Sequence, residues 1–559
     1  PKDGAGAQVI FNPNDFFPRG SICNLGLSPD EQVLAFSVDL TGSSRCDLFV
    51  LNFSDSETIS LLQRDIGQFD WAPDSKTIYF STNINGRPAN VLQCAAAACT
   101  PQLMLHEERS AYYLNLHTSR DRQLLLVTST SAQAAELFSL EFARRERGIT
   151  KILTAPQGDL RADHFKNRFF VLLRDAQGQQ RLAYRSDDCS AGCRFQPVTA
   201  RSLESTDFAL FDQAMLTFYR TGLQSRLELS SYEGVLLKEI TAAGAWSRLR
   251  PGINPSPTAR SAYYVHESPE QPNEILELNL ESFKVTNLNG HHKLPLLKST
   301  VEWVHSADGT KVPLTLVTKP GMAFNTGRPV LVQVYGAYGH ELDPTFRPEY
   351  VALTARGVDL AFCHVRGGGE MGPSWHSTAN GWHKTRSIDD FKACLEFLNQ
   401  RSPGSVAGYG RSAGGLLVAA LLQSNPRLLA AAVLEAPFVD LLSALARVDA
   451  PHAAREYAEW GDPQEPGSAN YLNQYSPAAT LRPGELPPTL IILPTNDEII
   501  DPLDTLRWAR RARTLQAAAN PIVILPQWGA THARAADETQ RLQVLAQSYA
   551  FILKAFGLN

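Results

Sequence analysis

A serine in a glycine-rich turn is the residue of this 559-residue chain best suited to chemistry. Residues 408–415 read Gly-Tyr-Gly-Arg-Ser-Ala-Gly-Gly, and they stand between a short apolar run, 405–407, and a longer one, 416–422, that predicts a buried helix. In so sharp a strand-to-helix turn only glycine fits beside the central residue, and the strain lifts the hydroxyl of Ser412 above the sheet. The pattern indicates a nucleophile. A glycine-rich loop whose serine caps the helix remains an alternative on this motif alone.

A serine hydroxyl needs a base to take its proton and a carboxylate to orient that base. When the Gly-x-Ser-x-Gly turn joins a strand to a helix, as in α/β-hydrolases, the chain order is Ser, then Asp or Glu, then His. Two histidines follow the serine, and His452 comes too early for an acid to precede it. His532 stands just after the apolar run 522–526, in a loop that leaves a predicted strand. We therefore expect His532 to be the base.

Three acidic residues follow the predicted strand 489–494: Asp497, Glu498 and Asp501. Asp497 is favoured because the pattern Asp-x-x-aliphatic-x-Pro places its carboxylate at the sheet edge, with Ile500 anchoring the turn. Asp501 is better suited to cap a helix that begins at Pro502. Each member of the expected triad thus follows a predicted strand.

The reaction also needs donors for the oxyanion, a term that is often the largest in acyl transfer. The backbone N–H of Ala413 supplies one donor because this residue directly follows the serine. A second is expected from the loop after the predicted strand 330–334, which begins with Tyr335. From the residues alone, Tyr335 is equally well explained as a core aromatic whose hydroxyl reaches water.

Five segments together resemble the prolyl oligopeptidase family of serine peptidases, and most closely its oligopeptidase B branch and the prolyl-endopeptidase-like proteins. They lie between residue 298 and the end of the chain, at 334–339, 364–370, 412–415, 434–440 and 459–463. The resemblance implies an α/β-hydrolase domain with a mostly parallel, doubly wound sheet and no cofactor. It also implies that Ser412, Asp497 and His532 form the triad and that the hydroxyl of Tyr335 binds the oxyanion.

The resemblance further implies specificity for basic residues at P1, the residue before the cleaved bond. The segment 456–461 reads Glu-Tyr-Ala-Glu-Trp-Gly. In it Glu456 matches the acid that pairs with the P1 side chain, and Glu459 is also expected to bind substrate. A carboxylate suits bidentate capture of a guanidinium, and Tyr338 would form an aromatic wall of this S1 pocket. Glu456 as an exposed helix carboxylate remains an alternative. Ala458 replaces a second Glu of the branch, so no basic preference at P2 is expected.

One further position departs from the proline-specific members of the family. Those members carry an arginine after the catalytic Asp, where this chain has Ile499, so substrate anchoring is expected to differ from theirs. The prolyl-endopeptidase-like branch keeps a triad yet resembles esterases more than peptidases in activity. An esterase or thioesterase therefore remains an alternative function, as does a propeller-based interaction protein with an inactive hydrolase half.

The first half of the chain has a different character, because short turn segments recur there about every 44 to 48 residues. These segments are 28–30, 72–75, 119–121, 166–168, 211–213 and 256–258. Each precedes an aliphatic or aromatic run, and such a period predicts the blades of a β-propeller. Six turns and the trailing strand 275–278 predict seven blades, whereas a pair of β-sandwiches explains the fixed period poorly. In the family this propeller admits only short peptides.

The domain prediction is a propeller over residues 1–295 and an α/β-hydrolase peptidase domain over residues 296–559. The chain begins at Pro1 without Met and reaches a predicted blade strand at about residues 8–11. We therefore expect that the chain is processed or is part of a longer protein.

Composition narrows the classes of partner. At 559 residues the chain needs at least two domains, and 43% hydrophobic residues suffice for two cores. The net charge of −5 argues against nucleic acid and is compatible with basic peptides as substrates. No apolar run approaches a membrane-spanning length and no signal peptide is visible, so no membrane partner is expected. A monomer or small homo-oligomer is the expected state.

The eight cysteines bear on the compartment. Close spacing predicts hairpin disulfides Cys94–Cys99 and Cys189–Cys193, and Cys23 and Cys46 are near enough to pair. Cys363 and Cys394 are predicted to be free, on a core strand and a helix. No histidine cluster accompanies the close pairs, so no metal is expected. The family resemblance favours the cytoplasm, whereas disulfides would indicate an oxidising compartment.

Overall fold

The computed structural model of the chain describes residues 9, 11–17, 20–41, 45–55, 59–131, 134–156, 158, 160–175, 178–189, 193–199, 203–290, 296–324, 327–448, 450–532 and 538–558. Two compact units divide the chain, Pro1–Phe169 and Phe170–Asn559. Gln8 and Ile10 of the predicted first strand lie outside the described residues, as do residues 291–295 at the predicted domain boundary. That boundary therefore stays a prediction.

The first unit is built of β-strands and short connecting turns. Its strands are β1 (Ser21–Leu27), β2 (Val33–Asp39), β3 (Cys46–Asn52), β4 (Ile59–Trp71), β5 (Thr77–Ile84), β6 (Arg87–Ala95), β7 (Ala98–His106), β8 (Tyr113–Thr118), β9 (Leu124–Thr130), β10 (Ala135–Glu141), β11 (Thr150–Ala155) and β12 (Ala162–Phe165). Strands β1 to β7 form one antiparallel sheet and β8 to β11 a second. The long strand β4 pairs with β3 through its first half and with β5 through its second, so the larger sheet contains two four-stranded sets that share β4.

The same pattern continues beyond the first unit. The next strands are β13 (Arg168–Arg174), β14 (Gln180–Ser186), β15 (Gln196–Pro197), β16 (Glu204–Leu210), β17 (Met215–Thr221), β18 (Gln224–Ser230), β19 (Leu236–Thr241), β20 (Arg248–Pro251), β21 (Ser261–Ser268), β22 (Gln271–Asn279) and β23 (Val285–Asn287). Strands β16 to β19 and β20 to β23 form two antiparallel four-stranded sheets. Successive four-stranded antiparallel sets are the construction of propeller blades.

The repeat predicted from the sequence matches these strands. Each of the six recurring turns lies directly before a strand or at its start, the strands being β2, β5, β9, β13, β17 and β21. The trailing segment 275–278 lies within β22, which pairs with β21, so it belongs to the set β20 to β23 and does not begin another. The described residues therefore supply strands for six blades, and the predicted number of seven is not reached among them.

The second half of the chain, from about residue 298 onward, alternates strands and helices. Its elements are β24 (Lys298–His305), β25 (Lys311–Thr318), β26 (Val330–Val334), α1 (Pro348–Ala355), β27 (Asp359–Cys363), α2 (Pro373–Ser377), α3 (Thr385–Arg401), β28 (Val406–Arg411), α4 (Ala413–Ser424), β29 (Ala431–Glu435), α5 (Leu441–Leu445), α6 (Ala450–Trp460), α7 (Ser468–Tyr475), α8 (Pro477–Thr480), β30 (Thr489–Pro494), α9 (Pro502–Leu515), β31 (Ile522–Gln527) and α10 (Glu538–Ala555).

These strands form one eight-stranded sheet in the order β24-β25-β27-β26-β28-β29-β30-β31. Strands β24 and β25 are antiparallel to their neighbours, and the pairs from β27 to β31 are parallel. Every residue of β27 and β30 is buried, as expected for parallel strands covered on both faces. Helix α4 is apolar along most of its length and is buried from Ala413 to Leu422. The predicted α/β-hydrolase architecture is confirmed.

All eight cysteines are paired in disulfides. The predicted pairs Cys23–Cys46, Cys94–Cys99 and Cys189–Cys193 are present. The prediction that Cys363 and Cys394 are free is wrong, because they form the fourth disulfide with their Cα atoms 6.3 Å apart. One cysteine ends a core strand and the other lies on α3, and only the packing of this helix against the sheet brings them together.

Two further expectations concern membranes and metals. Among the described residues, none of the helices has both the length and the apolar character that crossing a bilayer requires. Over the same residues, no group of three or more His, Cys, Asp or Glu side chains is arranged to hold a metal ion.

Candidate active site

The turn between β28 and α4 holds Ser412 in a strained backbone conformation, with φ 53° and ψ −120°. Glycine is required on both sides of it. A Cβ on Gly410 would lie 2.2 Å from the carbonyl oxygen of Gly414, and a Cβ on Gly414 would lie 2.2 Å from that of Val334. The strain is held by sheet contacts, since the backbone N–H of Ser412 donates to the carbonyl of Glu435 at 2.9 Å. Such stored strain is typical of functional sites.

The structure brings together the three residues that the sequence assigns to a triad. Nε2 of His532 lies 3.1 Å from Oγ of Ser412, and Nδ1 of His532 lies 2.7 Å from Oδ2 of Asp497. Both distances are within hydrogen-bond range. With a proton on Nδ1, the imidazole donates to the carboxylate and accepts from the serine hydroxyl. This arrangement has the geometry of a nucleophile, a base and an orienting acid.

The loop after β30 distinguishes the three acidic candidates. The second oxygen of Asp497 accepts from the N–H groups of Ile499 and Ile500 at 2.9 and 2.8 Å, which fixes the carboxylate toward the imidazole. Asp501 accepts from the N–H of Leu503 at 2.9 Å and caps α9, as predicted. Glu498 contacts only the backbone N–H of the histidine, at 3.4 Å, among the contacts of the described residues.

The histidine loop is also fixed through a polar network that the sequence did not reveal. The guanidinium of Arg411, the residue before the serine, donates to the carbonyl oxygen of His532. Arg411 in turn lies 3.3 Å from a carboxylate oxygen of Glu435, whose other oxygen accepts from the hydroxyl of Tyr409 at 2.5 Å. Two consecutive strands, β28 and β29, therefore anchor the loop that carries the imidazole.

The two groups that the sequence predicts as oxyanion donors, from Ala413 and Tyr335, both lie close to the serine turn in the fold. Ala413 is the first residue of α4, where the N–H has no intrahelical acceptor. Tyr335 follows β26 and lines the same cavity as Ser412 and His532. Burial, and then the charge of Glu459, raise the pKa of Tyr335 to about 12, so its hydroxyl keeps its proton at neutral pH. A protonated phenol is a hydrogen-bond donor.

The residues expected to form the S1 pocket meet around one tyrosine hydroxyl. The hydroxyl of Tyr338 donates to Oε2 of Glu456 at 2.7 Å and accepts from Nε1 of Trp460 at 2.8 Å. Tyr338 has φ 57°, an unusual conformation for a residue other than glycine. Burial raises the pKa of Glu456 above its usual value. Glu456 lies half-buried on α6, and its Oε2 accepts from a neutral donor.

Glu459 lies one turn further along α6, and its surroundings differ. Its side chain is only 2% exposed, and its oxygens contact Nζ of Lys384 and Nε2 of His376, the latter at 2.6 Å. Side chains of the protein thus contact both carboxylate oxygens. A direct contact of Glu459 with substrate stays a prediction that these contacts do not favour.

A cavity of about 670 Å³ extends from the serine along the face of the sheet covered by α1 and α10. Tyr335, Ser412 and His532 line one part of it. The rest of the lining is mixed. Its apolar side chains include Leu331, Phe362, Ile492, Val544 and Ile552, and its charged side chains include Glu341, Asp343, Arg347, Glu435 and Arg541. Glu456 and Tyr338 are not among its lining residues, so this space is separate from the expected S1 pocket.

Several of these residues were missed from the sequence. Lys384 and His376 lie in the segments around α2 and α3, and nothing in the residues near them signals burial against Glu459. Arg411 was visible only as the variable residue of the serine turn. Of the remaining sequence predictions, Ile499 is 66% exposed, and the side chain of His452 lies outside what the structure describes.

Comparison with known protein families agrees with both parts of the molecule. Residues 1–289 match the family described as "Prolyl oligopeptidase, N-terminal beta-propeller domain", and residues 344–559 match the "Prolyl oligopeptidase family". Among characterised proteins, the chain is 25% identical over 526 residues to "Prolyl endopeptidase-like" of Gallus gallus, covering 91% of this chain and 71% of the relative. It is 24% identical over 571 residues to "Protease 2" of Moraxella lacunata, covering 99% and 82%.

Solved structures show the same fold. Oligopeptidase B from Leishmania major superposes with a TM-score of 0.87 at 21% identity, covering all of this chain and 82% of the other. Oligopeptidase B from Trypanosoma brucei, solved with covalently bound antipain, gives a TM-score of 0.88 at 22% identity, with coverage of 99% and 82%. At these identities the likeness concerns the fold alone.

Proposed function

Because the chain belongs to the prolyl oligopeptidase family of serine peptidases, we propose that it is an oligopeptidase that cleaves short peptides after Arg or Lys. The observation that carries this proposal is the hydrogen-bonded line from Ser412 through His532 to Asp497, with distances of 3.1 and 2.7 Å. The 24% identity to a relative named "Protease 2" is consistent with it. The proposal assigns a role to each residue of this line.

In the acylation step Oγ of Ser412 attacks the carbonyl carbon of the scissile bond, and Nε2 of His532 takes the hydroxyl proton. Asp497 holds the imidazole in the required tautomer and stabilises its positive charge. The tetrahedral oxyanion accepts hydrogen bonds from the hydroxyl of Tyr335 and the N–H of Ala413. When the C–N bond breaks, the imidazolium gives its proton to the leaving amine, and an ester on Ser412 remains.

Deacylation repeats these steps with water. Nε2 of His532 takes a proton from the water molecule as its oxygen attacks the ester carbonyl, and the same donors bind the second oxyanion. Collapse breaks the ester bond, the imidazolium returns the proton to Oγ of Ser412, and the peptide acid leaves. The enzyme ends in its starting protonation state, so no cofactor is consumed.

Recognition of P1 rests on Glu456. An arriving guanidinium or ammonium group would pair with a carboxylate that burial has made less stable in its charged form, and it would thereby restore full ionisation. The hydroxyl of Tyr338 already orients Oε2, which leaves Oε1 to accept from the substrate. Planar Arg suits this geometry better than Lys because it can donate two parallel hydrogen bonds.

The test is turnover of a panel of chromogenic dipeptide amides that differ only at P1, with Ser412→Ala as the inactive control. Arg and Lys should give the highest kcat/KM, and Ser412→Ala should lose activity by about 10⁴-fold or more. A fluorophosphonate probe should label the wild type at Ser412 stoichiometrically. Equal rates for Arg and Ala would refute the P1 assignment, and lack of labelling would favour an inactive interaction protein.

A second candidate is hydrolysis of esters or thioesters that carry an apolar group. The cavity of about 670 Å³ that adjoins Ser412 favours it, because apolar side chains such as Phe362, Val544 and Ile552 line part of its wall beside charged ones. The same triad would act on a better leaving group. Plain acyl esters of increasing chain length separate the two candidates: a kcat/KM that rises with chain length and exceeds that of the Arg amide favours the esterase.

The compartment and the domain boundary belong to the same proposal. Four disulfides among the described residues favour an oxidising compartment over the cytoplasm. Mass spectrometry of the unreduced, alkylated protein should find no free thiol, and free Cys363 and Cys394 would contradict this proposal.

We also propose that the domains span residues 1–295 and 296–559, which puts their boundary between the two regions that match family models. Limited proteolysis that cuts first near residue 295 supports this boundary, and a first cut well inside either half contradicts it.

A further inference from the structure

A lysine without solvent exposure contacts the loop that carries Tyr335. The side chain of Lys384 is 0% exposed, and its Nζ donates to the carbonyl oxygen of Gly336 at 2.8 Å and to Oε1 of Glu459. Nζ also lies 4.7 Å from the ring centre of Trp460. A fully buried ammonium is costly unless it is paired, so these contacts define a specific position for this side chain.

The charge state of the pair follows from its donors. Burial lowers the pKa of Lys384 and favours its neutral form, whereas the pKa of Glu459 is lowered although burial opposes this, because Lys384 and His376 donate to it. The two oxygens of an ionised Glu459 can each accept a hydrogen bond from one of the two donors. A protonated Glu459 would carry a hydrogen of its own toward one of these donors and could not accept from both equally well. We therefore take the ion pair as the state at neutral pH.

The pair connects two elements that serve different parts of the proposed reaction. On one side it holds the carbonyl of Gly336, the residue directly after Tyr335. On the other side Glu459 lies on α6 between Glu456 and Trp460, the two residues that contact the hydroxyl of Tyr338. Residues three and four apart share one face of a helix. The S1 carboxylate and the anchor of the oxyanion loop are thus parts of one rigid surface.

Stability alone does not account for such a pair. A buried ion pair is often no more stabilising than apolar residues of the same volume, because desolvation offsets the Coulomb attraction. The hydrogen bond from Lys384 to the carbonyl of Gly336 indicates that the ion pair fixes the position of the loop that carries Tyr335. Gly336 has φ 71°, and a Cβ there would lie 2.4 Å from Cγ2 of Val365, so the loop is tightly confined on its other side.

We propose that Lys384 and Glu459 are positioning residues that place the hydroxyl of Tyr335 for the oxyanion and tie this placement to the S1 residue Glu456. The inference rests on the proposed function in that Tyr335 must act as an oxyanion donor. It adds that a P1 side chain bound at Glu456 contacts the same helix, α6, whose Glu459 helps to position Tyr335. Because the hydroxyl of Tyr335 stabilises the oxyanion and not the bound substrate, loss of the pair should lower kcat much more than it raises KM.

The test is a double-mutant cycle of Lys384→Met with Tyr335→Phe. Active sites are counted by the stoichiometry of fluorophosphonate labelling, so that kcat refers to folded enzyme only. A displacement of about 1 Å at a catalytic group can cost about 10²-fold in rate, and we expect kcat per labelled site to fall by about 10- to 100-fold in Lys384→Met. In the Tyr335→Phe background Lys384→Met should lower kcat no further, because the hydroxyl that it positions is already gone.

A matched control is available on α3, the helix that begins directly after Lys384. Lys392→Met removes a partly exposed lysine whose Nζ lies 3.7 Å from Oε1 of Glu396, and its kcat per labelled site should equal that of the wild type. If Lys384→Met does not fold, as shown by a loss of labelling, Glu459→Gln serves instead, since it keeps the shape and an acceptor but removes the charge. Its kcat should fall in the same direction by a smaller factor.

Two results would overturn the inference. One is an unchanged kcat per labelled site in Glu459→Gln and Lys384→Met, which would make the pair purely structural. The other is a full-sized effect of Lys384→Met in the Tyr335→Phe background. All rates are measured on an Arg amide and on a plain acyl ester. If the wild type shows no preference for Arg, the proposed specificity fails, yet the cycle on the ester still tests the pair, because ester hydrolysis forms the same oxyanion.

Discussion

Two regions around Ser412 are built in different ways. The reaction side comprises Ser412, Asp497 and His532, and each of these residues follows a strand of one mostly parallel sheet. The proposed recognition side comprises Tyr338 together with the α6 residues Glu456, Glu459 and Trp460. Tyr338 lies in a loop, and its hydroxyl contacts the side chains of Glu456 and Trp460. Backbone hydrogen bonds of the sheet fix the positions of the residues in the first region. In the second region the positions are fixed by contacts among tyrosine, tryptophan and buried charged side chains.

The comparison shows that two carboxylates on the same face of one helix can differ in pKa and in hydrogen-bond partners, because their surroundings differ. Glu456 and Glu459 are one turn apart on α6, yet burial raises the pKa of the first, and donors lower the pKa of the second. The carboxylate of Glu456 accepts from the hydroxyl of Tyr338, whereas the two oxygens of Glu459 contact Lys384 and His376. In the proposed function the first carboxylate recognises the ligand, and the second holds the site in place. Substitutions on the two sides should therefore have separable effects.

The largest effect is expected on the reaction side, from Asp497→Asn. The amide cannot hold the imidazole in the tautomer that accepts the serine proton, so kcat should fall by about 10⁴-fold for every substrate alike. Steady-state kinetics on Arg and Ala amides measure it. Glu498→Gln is the matched control and should stay near wild type, because the contact of Glu498 with the histidine is a 3.4 Å one to its backbone N–H and not to its imidazole. A larger loss in Glu498→Gln than in Asp497→Asn would reverse the assignment of the acid.

Tyr335→Phe should have the next largest effect. Removing one oxyanion donor lowers kcat by about 10²- to 10³-fold in acyl-transfer enzymes. The change keeps the ring and removes only the hydroxyl, so KM and the fraction of labelled sites should change little. The ratio between Arg and Ala substrates should also hold. A loss confined to Arg substrates would move Tyr335 from the reaction side to the recognition side.

Glu456→Gln tests the recognition side alone. Removing the charge should reduce the preference for Arg over Ala by about 30-fold, equivalent to about 2 kcal/mol, because the guanidinium then enters a half-buried site without a counter-charge. The rate with the Ala amide should remain unchanged. Glu465→Gln, at an exposed position beyond α6, is the control. If both variants keep the wild-type preference, S1 lies elsewhere.

The smallest effect is a pH dependence of specificity. Burial raises the pKa of Glu456, so its carboxyl stays protonated to a higher pH than an ordinary Glu, and the neutral form cannot pair with a guanidinium. The ratio of kcat/KM for Arg over Ala should therefore decline as pH falls from about 8 to about 5, and the ratio cancels the titration of groups shared by both substrates. In Glu456→Gln the ratio should be flat. A wild-type ratio that is flat or rises toward low pH would contradict the assignment.

Much of the fold could be predicted because its signals are local. The six recurring turns each lie before a strand or at its start, since turn chemistry and strand patterning act over a few residues. The segment 275–278 by itself predicts a further blade, because its own residues do not show that its partner is β21. Serine, acid and histidine were ranked by their order after predicted strands, and the structure brings these three side chains within hydrogen-bond distance.

By itself the sequence determined the nucleophile turn, the repeat of the first half and the order of the candidate triad, because each depends on residues close along the chain. Only the tertiary structure decided that Cys363 pairs with Cys394, 31 residues away, and that Lys384 reaches Glu459, 75 residues away. Neither contact leaves a local pattern, because packing of helices against one sheet creates both. The free energy of a buried charge depends on which partner that packing supplies.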